Sequence, residues 1–479
     1  MLASLRHERA ARVLFCVTAM LRPTFSWPTR TELREMLSIA APVVVVQVGL
    51  QVMGFVDTLM VGRLSADALA GVALGNFYFF NIAIFGMGTL MALDPVVSQA
   101  LGAGDLGGAR RGIQRGVLLA FVISVVVGAA FTFSGPAFEI LRQPHAVVPM
   151  ARRYVEISTV GLPAFFIFVV LRQSLQAMLV VRPVLFAVVI ANAVNVIANW
   201  VFIFGNLGAP PMGVAGSAWA TVLARWVMLV ALLVAGWPAL RPHLTGSWRA
   251  ATALGPLWAT VRLGAPIGFQ WFFEAGAFAK ATLMFGWLGT VPLAGHEVAL
   301  SLASLTFMVP VGFSVAAAAL VGQAVGRNDM PSARRHAAGA WVLGVGFMAC
   351  SGVLMLLFPV SIARWFTPDV AVIGAAAPLI AIAGVFQVFD GTQAVASGLA
   401  RGTGDTKVPM LLHLFGFWAL GVPLAAVLGF RTHLAGAGIW WGLTLGLVVA
   451  AVLQAWRVQR RLRRDIARVV VEHPTVGTR

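Results

Sequence analysis

Apolar residues fill this chain in long unbroken runs, separated by short polar stretches. Segments 184–204, 214–236 and 339–360 each reach the roughly 20 residues that a helix needs to cross a bilayer. The pattern predicts about twelve spans: 36–61, 68–98, 117–135, 154–171, 184–204, 214–236, 265–287, 293–322, 339–360, 372–398, 410–429 and 437–455. The runs are apolar on every face, which excludes a transmembrane barrel, whose strands alternate. The fold class is therefore an all-α integral membrane protein.

Composition agrees. Of 479 residues, 59% are hydrophobic and 11% charged, with a mean hydropathy of +0.89, more apolar surface than a water-soluble core can bury. A net charge of +17 would suit nucleic acid, but its placement gives another meaning. With the N-terminus inside, 26 of the 34 Lys and Arg residues fall in cytoplasmic segments, and only Arg63, Arg142, Arg152, Arg153, Arg364 and Arg431 lie in outer loops. Both termini are expected in the cytoplasm of a bacterial-type inner membrane, with the tail "WRVQRRLRRDIAR" as an anchor on anionic lipid and no nucleic-acid partner. The stretch "ARVLFCVTAM" near the start reads as an uncleaved interfacial segment or as the product of a misplaced start codon. Two cysteines, Cys16 and Cys350, found neither a disulfide framework nor a thiolate metal cluster.

The chain repeats itself. Residues 97–111, "VSQALGAGDLGGARR", match residues 321–335, "VGQAVGRNDMPSARR", at eight of fifteen positions, and the offset of 224 also aligns "TLMVG" at 58–62 with "TLMFG" at 282–286. Both copies of the Ala-Arg-Arg loop belong to the cytoplasmic side, so each half holds an even number of spans. Two parallel six-helix repeats follow: an arm at 1–35, an N-lobe at 36–236, a cytoplasmic linker at 237–264, a C-lobe at 265–455 and a basic tail at 456–479. Gly102 and Gly326 are expected to end helices, and Asp105 and Asp329 to cap the next ones. Bends are expected near Pro42 and Pro310.

Such a frame suits a transporter. The only lysines, Lys280 and Lys407, stand in no phosphate-binding loop, so an ion gradient is the expected source of energy, worth about 2.3 kcal/mol per charge per 100 mV. Acids within spans are the first candidates for function. Asp57 shares the N-lobe with Asn192, Asn195 and Asn199, which recur on one helix face, and with Thr221. These oxygens would suit Na⁺ or a proton on Asp57, although the asparagines would equally serve as interhelical hydrogen-bond links. Glu274 in "FQWFFEAGAF" and Asp390 in "FQVFDGTQ" stand beside aromatics, an environment for an organic cation or for a carried proton. Gln47, Gln51, Trp271 and Phe273 join Glu274 and Asp390 as candidates to line the substrate cavity. Lys280 and Glu297 are expected at similar depth and therefore as a salt bridge with a structural or gating role.

Taken together, the segment from Pro42 to Gly62 with its aspartate, "VSQALGAGD", Asn195 with Asn199, Glu274, "LAGHEVAL" and "LARGTGDTKVP" closely resemble the multidrug and toxin extrusion (MATE) family, in its NorM-like branch, over about residues 33–455. The resemblance implies a twelve-helix, two-lobed secondary antiporter, a monomer without cofactor, that exports cationic amphipathic compounds in exchange for Na⁺ or H⁺. It also implies a first-lobe cation site of Asp57, Asn195, Asn199 and Thr221 and a second-lobe acidic pair of Glu274 and Asp390. Family members commonly have His-Gln where this chain has His296-Glu297, and some have Asp at the place of Asn199. A flippase for a lipid-linked saccharide is the alternative within the same fold, but it would need a basic cavity. An enzyme is not expected, because no catalytic motif lies in a span.

Overall fold

The computed structural model describes residues 27–141 and 143–471, and every regular element among them is helical. The expected interfacial segment with Cys16, Arg142 and the end of the tail lie outside the described residues. The first repeat holds α1 (Arg30–Val61), α2 (Ala66–Leu90), α3 (Leu93–Gly102), α4 (Leu106–Phe131), the short α5 (Ser134–Ile140), α6 (Val148–Ser158), α7 (Leu162–Ala177), α8 (Arg182–Phe204) and α9 (Val214–Leu244). The second holds α10 (Leu254–Leu288), α11 (Thr290–Gly326), α12 (Met330–Leu357), the short α13 (Pro359–Phe366), α14 (Val370–Gly402), α15 (Lys407–His413), α16 (Val422–Phe430) and α17 (Ala435–Leu462). Eleven helical stretches are long and apolar enough to cross a membrane, and the 35-residue α10 supplies the twelfth.

Three of the stretches are interrupted. The second turns at Met91–Ala92, the fourth passes through a 3₁₀ turn at Thr159–Gly161 ahead of Pro163, and the eleventh widens into a π-helical turn at Leu414–Gly421 ahead of Pro423. A proline lacks the N–H that would close the preceding turn, and a local 3₁₀ or π adjustment re-satisfies the freed carbonyls. At Pro42 and Pro310 the helices run on unbroken. The expected linker at 237–264 is mostly helical, since α9 continues to Leu244 and α10 begins at Leu254.

The chain forms two compact units, one from residues 41–272 and one from 273–468 together with the start of α1 up to Ala40. The first is packed around Phe79, Phe131, Phe138 and Phe166, and the second around Phe285, Phe386, Phe417 and Trp440. Lipid tails are as apolar as leucine, so helices in a membrane associate by close packing rather than by hydrophobic expulsion. Small residues permit this. A Cβ at Gly398 would stand 2.2 Å from the Ser314 carbonyl oxygen, and one at Gly264 would stand 1.9 Å from that of Thr89.

The repeated loops behave as expected. Asp105 caps α4 by accepting from the Gly108 N–H at 2.7 Å, and Asp329 caps α12 by accepting from Ser332 N–H at 3.0 Å. Their arginines add a second function. Arg334 donates from Nε to the Leu462 carbonyl at 2.8 Å and from Nη2 to that of Arg463 at 3.3 Å, closing the C-terminal end of α17. Arg335 pairs with Glu32 at 2.5 Å. In the first unit Arg110 lies beside Gly246, just past the end of α9, and Arg115 donates to the Ala250 carbonyl at 3.3 Å. The second loop thus latches the last helix of its unit, and in the first unit the helix that follows the loop latches the segment just past α9.

Replacing Gly398 by Ala should lower the thermal unfolding midpoint of the purified protein, at a cost of roughly 1–3 kcal/mol for forcing apart two packed backbones. Gly54→Ala, where an added Cβ would meet nothing within 4 Å, should change it by less than about 0.5 kcal/mol. Equal midpoints for the two variants would refute this account of the packing.

Candidate functional site

In the first unit, three helices bring polar side chains to one buried point. Asp57 near the end of α1 is 2% exposed. Its Oδ1 accepts from Asn195 Nδ2 at 3.0 Å and from Asn199 Nδ2 at 2.6 Å, both on α8, and its Oδ2 accepts from Thr221 Oγ1 on α9 at 2.8 Å. Asn195 and Asn199 share a helix face because they are four residues apart. Asn199 also donates to Asn195 Oδ1 at 3.2 Å. Asn192, from the same sequence run, lies outside this cluster and donates to the Gly49 carbonyl at 3.0 Å.

Thr221 has one hydroxyl proton but two acceptors in reach, Asp57 Oδ2 and the Ser217 carbonyl at 3.0 Å. This geometry serves either charge state of Asp57. The ionised carboxylate accepts from Thr221, whereas a protonated one donates to Thr221 Oγ1, which then donates to Ser217. For a cation the donor set is less complete. Asn195 Oδ1 is taken by Asn199, leaving Asn199 Oδ1 as a buried amide oxygen with no partner among the described residues.

The second unit carries the other acids. Glu274, midway along α10, lies 3.4 Å from His413 Nε2, and His413 is fully buried at the end of α15. Asp390 on α14 is 6% exposed and makes no hydrogen bond among the described residues, while the charge of Glu274 acts on it. An acid so placed lacks the partners that buried carboxylates ordinarily have.

The aromatic and amide candidates divide. Phe273 packs edge-on against Trp418 at 6.5 Å, and its carbonyl accepts from Trp418 Nε1 at 2.8 Å. Trp271 is half-buried and Gln51 is exposed. Gln47 accepts from Arg172 at 3.2 Å within the first unit, so it is engaged by a half-buried guanidinium.

The expected Lys280–Glu297 salt bridge does not form. Lys280 Nζ lies 5.9 Å from the Trp287 ring of its own helix, seven residues along the same face, and Glu297 is exposed. The neighbouring residue takes the inward place. His296 is fully buried, stacked on Phe285 at 4.3 Å and 3.1 Å from Thr282 Oγ1, and Glu297 stands about 100° further round α11. The indole Trp440 Nε1 can only donate, and it meets His296 Nδ1 at 3.2 Å, which leaves the proton of a neutral imidazole on Nε2, toward Thr282.

Sequence reasoning passed over three buried groups. Arg225 on α9 is 6% exposed and lies over the Phe79 ring at 4.0 Å. Asp94 on α3 accepts from Gln173 at 3.0 Å. His413 is the third, and its position inside an apolar run was the available signal.

A profile of the MatE family matches residues 42–201 and again 266–427, starting points separated by the offset of the internal duplication. The chain belongs to the MatE family. It is 35% identical over 448 residues to the probable multidrug resistance protein NorM of Rhizobium meliloti (strain 1021), covering 92% of this chain and 95% of that one. Multidrug resistance protein PmpM of Pseudomonas aeruginosa is 34% identical, with 91% and 93% covered. Among solved structures, the eukaryotic MATE transporter AtDTX14 superposes with a TM-score of 0.80 at 21% identity, over 90% of this chain and 99% of that one. This is a multi-pass, all-helical, NorM-like MatE protein.

The separation of Lys280 from Glu297 is checked by a double-mutant cycle on stability. Lys280→Met and Glu297→Gln should add within about 0.5 kcal/mol. A larger coupling between them would restore the salt bridge.

Proposed function

We propose that the protein is a secondary active exporter of cationic amphipathic compounds, powered by the inward flow of a coupling cation across a bacterial-type inner membrane. The observation that carries the reading is Asp390, a buried carboxylate without a hydrogen bond among the described residues and under the field of Glu274. Two acids in one unit, with Phe273 next to Glu274 in the chain and packed on Trp418, would be complemented by an organic cation through charge and through aromatic faces. The names of the NorM and PmpM relatives speak of multidrug resistance, which fits this substrate class. An anionic lipid-linked saccharide would meet repulsion at the same acids.

In this reading the two units divide the work. Glu274 and Asp390 hold the organic cation, and Asp57 takes up the coupling ion. The surroundings of Asp57 suit an exchanged proton, because Thr221 has a place for either end of the proton's hydrogen bond while two amide N–H groups steady the carboxylate left when the proton departs. Na⁺ would instead require the asparagine oxygens to turn inward. Alternating access would then follow from proton uptake outside and release inside, with both chain termini cytoplasmic and one chain sufficient.

The test is efflux of a fluorescent cationic dye from proteoliposomes under a pH gradient and, separately, a Na⁺ gradient. The pH gradient should drive movement, Asp57→Asn and Glu274→Gln should each reduce it by at least about tenfold, and Thr221→Ser should retain it where Thr221→Val does not. Movement under Na⁺ alone would reassign the coupling ion. No movement under either gradient by folded protein would put the lipid flippase first.

A further inference from the structure

Behind Glu274 lies a buried chain of polar groups that the acids alone do not explain. Ser397 Oγ donates to Gln454 Oε1 at 3.1 Å, Gln454 Nε2 lies 2.5 Å from His413 Nδ1, and His413 Nε2 faces both Glu274 Oε2 and the amide of Gln393. Ser397, Gln393, Gln454 and His413 are all buried, and His413 also stacks on Phe417 at 5.6 Å. Four buried polar groups in a membrane interior are costly unless each is satisfied.

Hydrogen-bond accounting fixes how they can be satisfied. Ser397 holds Gln454 by its oxygen, so the Gln454 amide N–H donates to Nδ1 and the ring proton of a neutral imidazole sits on Nε2, toward Glu274. Gln393 Oε1 has no partner among the described residues, and turning that amide brings it to the Nε2 proton. If the ring takes up a second proton, on Nδ1, Gln454 must turn its oxygen to it, and its nitrogen then finds the lone pairs of Ser397 Oγ. The same four side chains therefore accommodate two charge states.

We propose that His413 sets the charge of the second-unit site: with the ring neutral, Glu274 presents an uncompensated carboxylate to an organic cation, and with the ring protonated the pair is neutral and the cation is released. The step adds one proton to Nδ1 and turns the Gln454 amide over, exchanging its hydrogen bonds to Nδ1 and from Ser397 for one from Nδ1 and one to Ser397 Oγ. This rests on the reading of Glu274 and Asp390 as cation-binding acids, and it makes His413 a positioning residue that acts through Glu274. The charged group facing it is Glu274 from α10, while Asp390 lies on α14 one turn before Gln393. On α17 the nearest charge, Arg457, is engaged by Asp405 at 2.7 Å.

A variant that cannot take up a proton at position 413 keeps the same carboxylates, so its difference from wild type across pH isolates the ring. The measurement is the affinity of the full-length protein in nanodiscs for ethidium, by fluorescence anisotropy between about pH 5.5 and 8.5. Wild type should lose about tenfold in affinity from the alkaline to the acidic end, and His413→Gln, which keeps an amide at Glu274 but cannot titrate, should lose less than about twofold. Gln454→Glu provides an independent arm: a carboxylate at Nδ1 favours the protonated ring, so the midpoint of the response should move to higher pH. An unchanged pH response in His413→Gln, or an unmoved midpoint in Gln454→Glu, overturns the role of His413 while leaving cation export standing. Absence of ethidium binding by wild type at every pH overturns the export reading itself, and this inference with it.

Discussion

A carboxylate inside a bilayer has no water to solvate it, so every buried acid must be answered by groups the protein itself supplies or by a ligand. The architecture follows from how each acid is answered. Asp57 is met by two amides and a hydroxyl from α8 and α9, which fixes the register of both helices against α1. Glu274 is met by one imidazole, itself supported by two amides. Asp390 is met by nothing among the described residues that donates a hydrogen bond. In the proposed function this gradation, from satisfied to unsatisfied, separates a group that exchanges a small ion from a group that awaits a larger one. Close helix contacts at glycines such as Gly398 keep the frame rigid enough for the difference to persist.

The duplication makes the same point by contrast. At the 224-residue offset Asp57 stands opposite Ala281 and Asp390 opposite Phe166, both buried in apolar cores, while Glu274 stands opposite Leu50 and His413 opposite the exposed Val189. What the halves share is helix order, capping aspartates and latching arginines. What they do not share is the polar interior.

The frame was legible in the sequence because its determinants are local. Apolar run length sets the spans, and Asp105 and Asp329 three residues before an amide N–H announce their caps. The cluster around Asp57 was legible because helical periodicity alone puts Asn195 and Asn199 on one face. Where partners come from different helices, rotation about each axis decides, and an apolar helix conceals its rotation. That is why Glu297 was paired with Lys280 although His296 holds the inward face, and why His413, a single polar residue in "LLHLFGFW", gave no hint of Gln393, Gln454 and Glu274 converging on it. The π-helical turn that follows His413 is likewise a response to packing and to Pro423 that hydropathy does not register.

The arginine latches have a consequence for biosynthesis. A chain is made from its N-terminus, and its units fold as they become complete. The first unit acquires its latch once Gly246 and Ala250 have followed α9 into place, with α10 to α17 still to be made. The second cannot close until the carbonyls of Leu462 and Arg463 reach Arg334, after all of α10 to α17 has been made. The half that carries Glu274, His413 and Asp390 is therefore the last to be sealed, and a ribosome that stalls late leaves a membrane protein with one finished lobe and one still open.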